Sequence, residues 1–597
     1  MRTRLAQESG AIAIVVALVF VPILVGGAAL GIEVSRWFAI LERVQRAADA
    51  AALAAAPQWT SARADAVAAA REAVRRNGYL LTGSTRLDLV SGSAAGTVRA
   101  TLTLSVSNPL GAALGEPARE LTRMSEAGYS APISIGSSCN VVGDEPDPAS
   151  GDLTDPADGT GSVASSLCSY GRRPHLWASI AGPDTSKVTG DRFASRWCTN
   201  GNSGCRANNN LDYRGYGSAA AGATDGQPSY FLRVTVRRPV PSMTVQLFDP
   251  AFVDVGDACD RMPKRSATDP SWPGLATPNP YVRDAARRYA FGSRTTTPAS
   301  SGEYCTGDTT SVAVATPAAA LRAPVVTSFA LHAPTNSGDP WRAPVLPTCV
   351  RQYPGWILTP LAMTAALTTP GDPALQRYFR QWVTVCTVIA PQVGDYYLQV
   401  RTNIGAGRAS SARMTEARED ADATGTGLNR FSVRVDTPGD QEAVSVAGVE
   451  RLGLYVNVPA GRTTFLLARV GSAAAGSTLR VELFDLGDAQ APAVLALVRP
   501  PSAAGTWPAR CMALGEPRGS PLAPADLPNC ELTGVSSASG FNGKIQQVAI
   551  ELPVDYRCVD NDPTDCWFRI AVDYPSSVFD TTTWTASLEG DPVRLIQ

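Results

Sequence analysis

The chain has 597 residues, 52 basic against 54 acidic side chains and a formal net charge of −2, a length sufficient for two or three domains. With no basic cluster, this balance leaves no electrostatic footprint for a nucleic-acid partner. Its 52 glycines and 45 prolines favour short strands separated by many turns.

The first element is an uncharged apolar run from Ala11 to Ile32, preceded by Arg2 and Arg4. At about 1.5 Å per residue it reaches about 33 Å, enough to cross a bilayer core. It is expected to be a transmembrane helix in contact with lipid. Positive charge on the short side predicts a cytoplasmic N-terminus and an extracytoplasmic bulk. A cleaved signal peptide is the competing reading, but its apolar region would be shorter. Glu33, Arg36, Glu42, Arg43, Arg46 and Asp49 then appear among small residues with no helix breaker before Pro57, so the helix should extend past the membrane. Residues 1–57 therefore form a cytoplasmic tip, membrane helix and extension.

Residues 58–130 read as a small membrane-proximal α+β module. A helix over Ser61 to Arg76 stops at Asn77-Gly78, and strands are expected at Leu87 to Val90 and at Thr97 to Ser107, whose Val98, Ala100, Leu102, Leu104 and Val106 share a face. Residues 131–171 are rich in Gly, Ser and Asp and read as a linker. Two stretches beyond it follow one pattern, YFLRVTVRRPVPSMTVQLFDP from Tyr230 and TFLLARVGSAAAGSTLRVELFDL from Thr464. Each is an apolar strand, a turn and an alternating strand ending Leu-Phe-Asp, and each is expected to be a β-hairpin. The repeat suggests two related antiparallel β-sandwich, jelly-roll-like domains, at 172–404 and 428–597, joined by a linker at 405–427. Helices are expected within the first at Pro280 to Phe291 and Asp372 to Trp382. The fold class is thus mainly β with an N-terminal transmembrane α-helix.

All twelve cysteines lie beyond residue 138: Cys139, Cys168, Cys198, Cys205, Cys259, Cys305, Cys349, Cys386, Cys511, Cys530, Cys558 and Cys566. An even number on one side of a membrane segment, without CxxC pairs, points to disulfides in an oxidising space. Sequence neighbours suggest Cys198 with Cys205, Cys349 with Cys386, Cys511 with Cys530, and Cys558 with Cys566.

The N-terminal string ESGAIAIVVALVFVPILVGGAALGIEVSRWFAILERVQRAADAAALAAA, Glu8 to Ala56, resembles the start of TadE/TadG-like proteins of the Flp (tight adherence) pilus assembly system. The residues that carry the likeness are Ser9-Gly10, Pro22, Glu33, Arg36 and the block from Gln45 to Ala54. In pilin-like relatives a peptidase cuts after a glycine and a glutamate stands fifth in the mature chain. Here the fifth residue after Gly10 is Val15, which implies a retained anchor of the TadG kind. The resemblance implies a structural or assembly component of a pilus or secretion apparatus, partnered by other pilus or secretion-system proteins through the N-terminal helix. Gly26, Gly27 and Gly31 would allow another helix to approach closely.

No catalytic constellation is recognisable. His175 and His332 are the only histidines, neither lies in a known motif, and no cofactor is expected. Calcium is the single metal for which ligands exist: Asp249, Asp254, Asp257 and Asp260 follow the first repeat, Asp485 and Asp488 the second, and Asp560, Asp562 and Asp565 lie between Cys558 and Cys566. The competing reading is that these aspartates stabilise turns. The alternative function is a surface-exposed binding module for carbohydrate or another extracellular ligand, which would want Trp507, Trp567 and Trp584 on one solvent-facing strip.

Overall fold

The computed structural model describes residues 2–56, 63–92, 97–112, 117–129, 133–143, 176–213, 230–256, 306–311, 324–335, 343–359, 371–403 and 425–596, apart from short gaps within the last two ranges and a few isolated residues between ranges. Cys168, Cys259, Cys305, Asp257, Asp260, His175, Trp507, the expected helix at Pro280 to Phe291 and most of the 405–427 segment lie outside the described residues. The chain divides into two units: Met1–Ala131 with Gly590–Gln597, and Pro132–Glu589.

The first unit begins with α1 (Arg2–Ala55) and α2 (Arg63–Arg76). An antiparallel sheet follows, of β1 (Thr85–Ser91), β2 (Thr97–Ser107) and β3 (Ala118–Tyr129), with the short α3 (Pro109–Ala112) between β2 and β3. A strand at Val593–Ile596 pairs with the end of β3, so the extreme C-terminal residues complete this sheet rather than a distal domain. Val44, Ala47, Ala48, Ala51, Ala52 and Ala55 of α1 are buried against Ala66, Ala70 and Val74 of α2 and Val98, Ala100 and Leu102 of β2. That spacing repeats at three to four residues, the period of a single helix face. Alanine keeps this face flat, so backbone approaches backbone closely, and it costs no side-chain entropy on burial.

Further toward the N-terminus, α1 changes character. Ile14, Val15, Val16, Leu18, Val19, Phe20, Val21, Ile23 and Leu24 are exposed. Among the described residues, no helix is long and apolar enough to cross a membrane.

The second unit is built of antiparallel strands: β4 (Ser134–Ile135), β5 (Val141–Val142), β6 (Leu176–Ala181), β7 (Cys205–Arg206), β8 (Asn209–Asn210), β9 (Tyr230–Val236), β10 (Ser242–Phe248), β11 (Thr309–Thr310), β12 (Thr327–His332), β13 (Val345–Tyr353), β14 (Trp382–Ile389), β15 (Gly394–Thr402) and β16 (Gly427–Asp436). A one-turn helix, α4 (Pro373–Tyr378), precedes β14 and is capped by Asp372, which accepts from the backbone N–H groups of Ala374 and Leu375. The chain continues through β17 (Val444–Val449), β18 (Arg451–Val458), β19 (Gly461–Arg469), β20 (Thr478–Phe484), β21 (Ala493–Val498), β22 (Arg510–Leu514), β23 (Ala525–Asp526), β24 (Glu531–Val535), β25 (Ile545–Glu551), β26 (Trp567–Tyr574) and β27 (Val578–Leu588).

Apart from the separate β7–β8 pair and from β5 and β11, which flank β16, hydrogen-bonded pairing resolves these strands into two sheets, bridged once where Val449 of β17 meets Arg451 of β18. One runs β14-β10-β16-β6-β18-β27-β20-β25-β22-β23. The other runs β13-β12-β15-β9-β17-β4-β19-β26-β21-β24. Residues of both, including Leu232, Val245, Leu398, Val433, Leu467, Val481, Val548 and Ile570, share one buried cluster. Each such aliphatic side chain contributes about 1.5–3 kcal/mol when fully buried.

Two expectations are corrected here. The repeated stretches are not hairpins: β9 pairs with β15 and β17 while β10 pairs with β14 and β16, so each stretch arches from one sheet to the other. Pro239 and Pro241 in the first connection lack the N–H groups a hairpin ladder would use. The expected boundary at 405–427 also does not separate two sandwiches, because β16 is hydrogen-bonded to β6, β6 to β18, and β17 to both β9 and β4. Both sheets run through the repeat without a break.

The repeat itself is deeper than its sequence. Taken in order, β4, β6, β9, β10, β12, β13, β14, β15 and β16 have the same neighbours as β17, β18, β19, β20, β21, β24, β25, β26 and β27. β10 and β20 even share one burial pattern, residue for residue. The two halves meet where β6 lies antiparallel to β18, with Ala178 opposite Leu454 and Trp177 opposite Tyr455, whose rings are 5.9 Å apart.

Candidate functional site

The Leu-Phe-Asp ends of the repeated strands are the most distinctive chemical feature of the second unit. Both aspartates are buried and both have positive φ, 52° at Asp249 and 60° at Asp485. Aspartate tolerates this left-handed region better than bulkier residues because its short side chain bonds nearby groups. It ends each strand and turns the carboxyl inward.

In the first half, Asp249 accepts from Thr306 Oγ1 at 2.7 Å. Asp308 beside it accepts from the backbone N–H groups of Val253 and Arg430, each at 2.8 Å. Burial, and then the charge of Asp249, push the Asp308 carboxyl well above the usual carboxylate range, while the Arg430 guanidinium works in the opposite direction. Arg430 is itself buried, donates to Gly307 O and Thr581 Oγ1, and stacks 3.8 Å over the Tyr455 ring. A cation inside the fold thus works against the raised Asp308.

In the second half, Asp485 accepts from Gly543 N–H at 2.6 Å. Asp488 and Asp580 are its neighbours and bond one another. Burial, then the charge of Asp488, raise both Asp485 and Asp580 well above the usual range. Strand register shows what differs. Phe248 stands opposite Ser432 and Phe484 opposite Thr583, so Asn429 and Arg430 occupy the positions of Asp580 and Thr581. The second half has an extra carboxyl where the first has an amide, and a hydroxyl where the first has a guanidinium.

The remaining calcium candidates are held by protein donors. Asp254 accepts from Thr310 Oγ1 at 3.1 Å. Asp560 accepts from Ser472 N–H at 2.9 Å, and Asp565 from Val559 N–H at 2.9 Å and from the Ser502 hydroxyl. Burial raises Asp565, but these bonds and the backbone N–H of Cys566 hold it below its ordinary value. The carbonyl oxygens of Asp560 and Asp562 receive the Arg469 guanidinium. Cys558, Asp560 and Cys566 bring one sulfur or oxygen each within 4.8 Å of one another. Both sulfurs are committed to a disulfide, however, and offer no thiolate.

Disulfides join Cys198 to Cys205, Cys349 to Cys386, Cys511 to Cys530 and Cys558 to Cys566. Cys139 is disulfide-bonded as well, and no cysteine among the described residues is free. Cys349 in β13 and Cys386 in β14 tie one sheet to the other. His332 is a satisfied core residue, with Nδ1 2.8 Å from Ala343 O, Nε2 3.2 Å from Gln399 Oε1, and its ring edge-on to Phe231.

Sequence reading missed a buried charge network. Lys187, fully buried, donates to Asp212 at 2.6 Å and to Ser203 O at 2.8 Å; Arg192 donates to Asp212 at 3.3 Å and also to Glu482 on β20. It pins the 182–213 segment to the second half of the repeat. The one signal available was the rarity of lysine itself.

None of the curated proteins and none of the solved structures matches the chain. Residues 10–70, which run from the exposed apolar part of α1 through its buried alanine face into α2, match a family model, that of TadE/G-like Flp pilus-assembly proteins.

Proposed function

We propose that the protein is a membrane-anchored, non-enzymatic structural or assembly component of a Flp/Tad-type pilus or a related cell-surface secretion apparatus. The observation that carries this reading is the two-part character of α1 inside the matched segment. Its N-terminal part exposes large apolar side chains on every side, while its C-terminal part buries an alanine face in a folded unit. Exposed apolar surface of that extent costs free energy in water and calls for lipid or other apolar helices around it. The unit beyond Pro132 would stand in an oxidising extracytoplasmic space, in keeping with its disulfides. Partners would be other pilus proteins that engage the same helix.

Fractionation tests this. The full chain should sediment with membranes and resist alkaline carbonate extraction, and a chain lacking residues 1–32 should be soluble. Recovery of the intact chain from the cytosol with free thiols would overturn the proposal. The carbohydrate-binding alternative draws no support from the tryptophans, since Trp567 and Trp584 are buried.

A further inference from the structure

We propose that the outer edge of β14 is an interface on which a second copy of this chain lays its own β14, antiparallel and across a two-fold axis, so that the sheet runs on from one molecule into the next. The two sheets of the second unit end in four edge strands, β13, β14, β23 and β24. An open edge offers unpaired N–H and C=O groups to any extended chain, and folds usually blunt it. Three of the four are blunted. β13 carries Pro347 and Arg351, whose guanidinium donates to the carbonyls of Thr348 and Val350 at 3.1 and 2.8 Å. β23 is only two residues long, and β24 holds Glu531 and the left-handed Gly534.

β14 is the exception. Its sequence WVTVCTVI has no charge, proline or glycine and is rich in β-branched residues. Among the described residues, no strand pairs with its outer side. Thr384, Thr387 and Ile389 are exposed, Ile389 to 74%. A bulge at Val385 is its one irregularity, and beyond it Cys386 to Ile389 keep a regular ladder with β10. Ala390 donates its N–H to Pro241 O, so by the alternation of an antiparallel ladder the backbone groups of Thr387 and Ile389 point away from β10. The disulfide from Cys386 to Cys349 ties the strand to the facing sheet and holds the edge in place before a partner arrives.

The repeat reveals what such an edge accepts. β25, the equivalent of β14, is covered by β22, which lies antiparallel to it from Arg510 opposite Glu551 to Leu514 opposite Gln547. β22 belongs to the connection between β21 and β24, residues 499–530. The corresponding connection of the first half, residues 333–344, is far shorter and holds no strand among the described residues. The first half therefore has no β22 of its own. A second copy suits the vacancy because the chain already joins its own halves by laying the equivalent strands β6 and β18 antiparallel. Across a two-fold axis each β14 also meets an uncharged strand identical to itself, so no like charges oppose one another.

The test uses the full chain in detergent micelles, its mass read by sedimentation at micromolar concentration. The native chain should be a dimer, and its Thr387 amide should exchange with solvent more slowly as the chain is concentrated. Thr387→Lys and Ile389→Lys, both at exposed side chains, should keep the native circular dichroism and sediment as monomers, because each brings a like pair of charges into the joint. Val554→Lys, at another exposed apolar position, should stay dimeric. A monomeric native chain overturns the proposal. So does a dimer that survives both β14 substitutions, since association through α1 would behave in that way, and so does a monomer whose β14 takes up an extended segment of a different protein.

Discussion

At the level of single residues, the second unit depends on charges that the fold has taken out of water. Asp212 is held between Lys187 and Arg192; burial raises its carboxyl, but these two cations bring it below the ordinary value. Removing it takes the ion-pair partner from a fully buried ammonium, and breaking a buried pair from one side costs about 3–5 kcal/mol. Asp212→Ala should lower the unfolding free energy by that amount in urea titrations. Asp580 has the opposite sign. Its folded-state value lies above the unfolded one, near 3.9, so its favourable contribution is complete below about pH 4 and is lost as pH rises through the raised value. Asp485, Asp488 and Tyr574 face it. Asp580→Asn should match the native chain below about pH 4 and exceed it in stability at pH 8. An equal difference at both pH values would contradict this account. Sequence alone could mark Asp485 and Asp488 as a pair after a strand, but not Asp580, which comes to them from nearly a hundred residues further along the chain.

Among the elements, α1 carries two kinds of surface on one helix, an exposed apolar part and a buried alanine face. Its alanine block resembles a generic helix former in composition, and only the packing reveals that the alanines are spacers. Ala51 is fully buried between α2 and the sheet, so Ala51→Leu should overpack this layer and cost about 1–3 kcal/mol in a thermal melt. Leu18→Ala, on the exposed part, should leave that transition unchanged. Strand β2 was legible from its alternation. β3 was not: ARELTRMSEAGY is rich in helix formers, yet it pairs with β2 along its whole length. β6 and β12 escaped notice for another reason, since all their residues are buried and no polar face marks a period of two. The arches were misread as hairpins because alternation records which face is buried, not which strand lies alongside.

For the molecule as a whole, duplication rather than domain division is the governing feature. The Leu-Phe-Asp repeat was visible in the sequence, but the merging of its halves was not, because β6, β17 and β18 carry no motif. Cutting the chain between residues 404 and 424 should therefore not release two domains. After limited proteolysis there, the fragments should co-elute on native size exclusion and melt in one transition. Separation without denaturant would contradict the continuous sheets.

The same continuity sets a timetable for folding. Ile135 in β4 must wait for Gly448 and Ala468, and β6 for β16 and β18, while β3 acquires its outer neighbour only from Val593–Ile596. A polypeptide emerging from its N-terminus thus presents early strands whose mates do not yet exist, and contacts so remote in sequence are slow to form. Until β27 and the Val593–Ile596 strand have emerged, their mates in both units lie unpaired, and the nascent chain needs shelter from mispairing along its open edges.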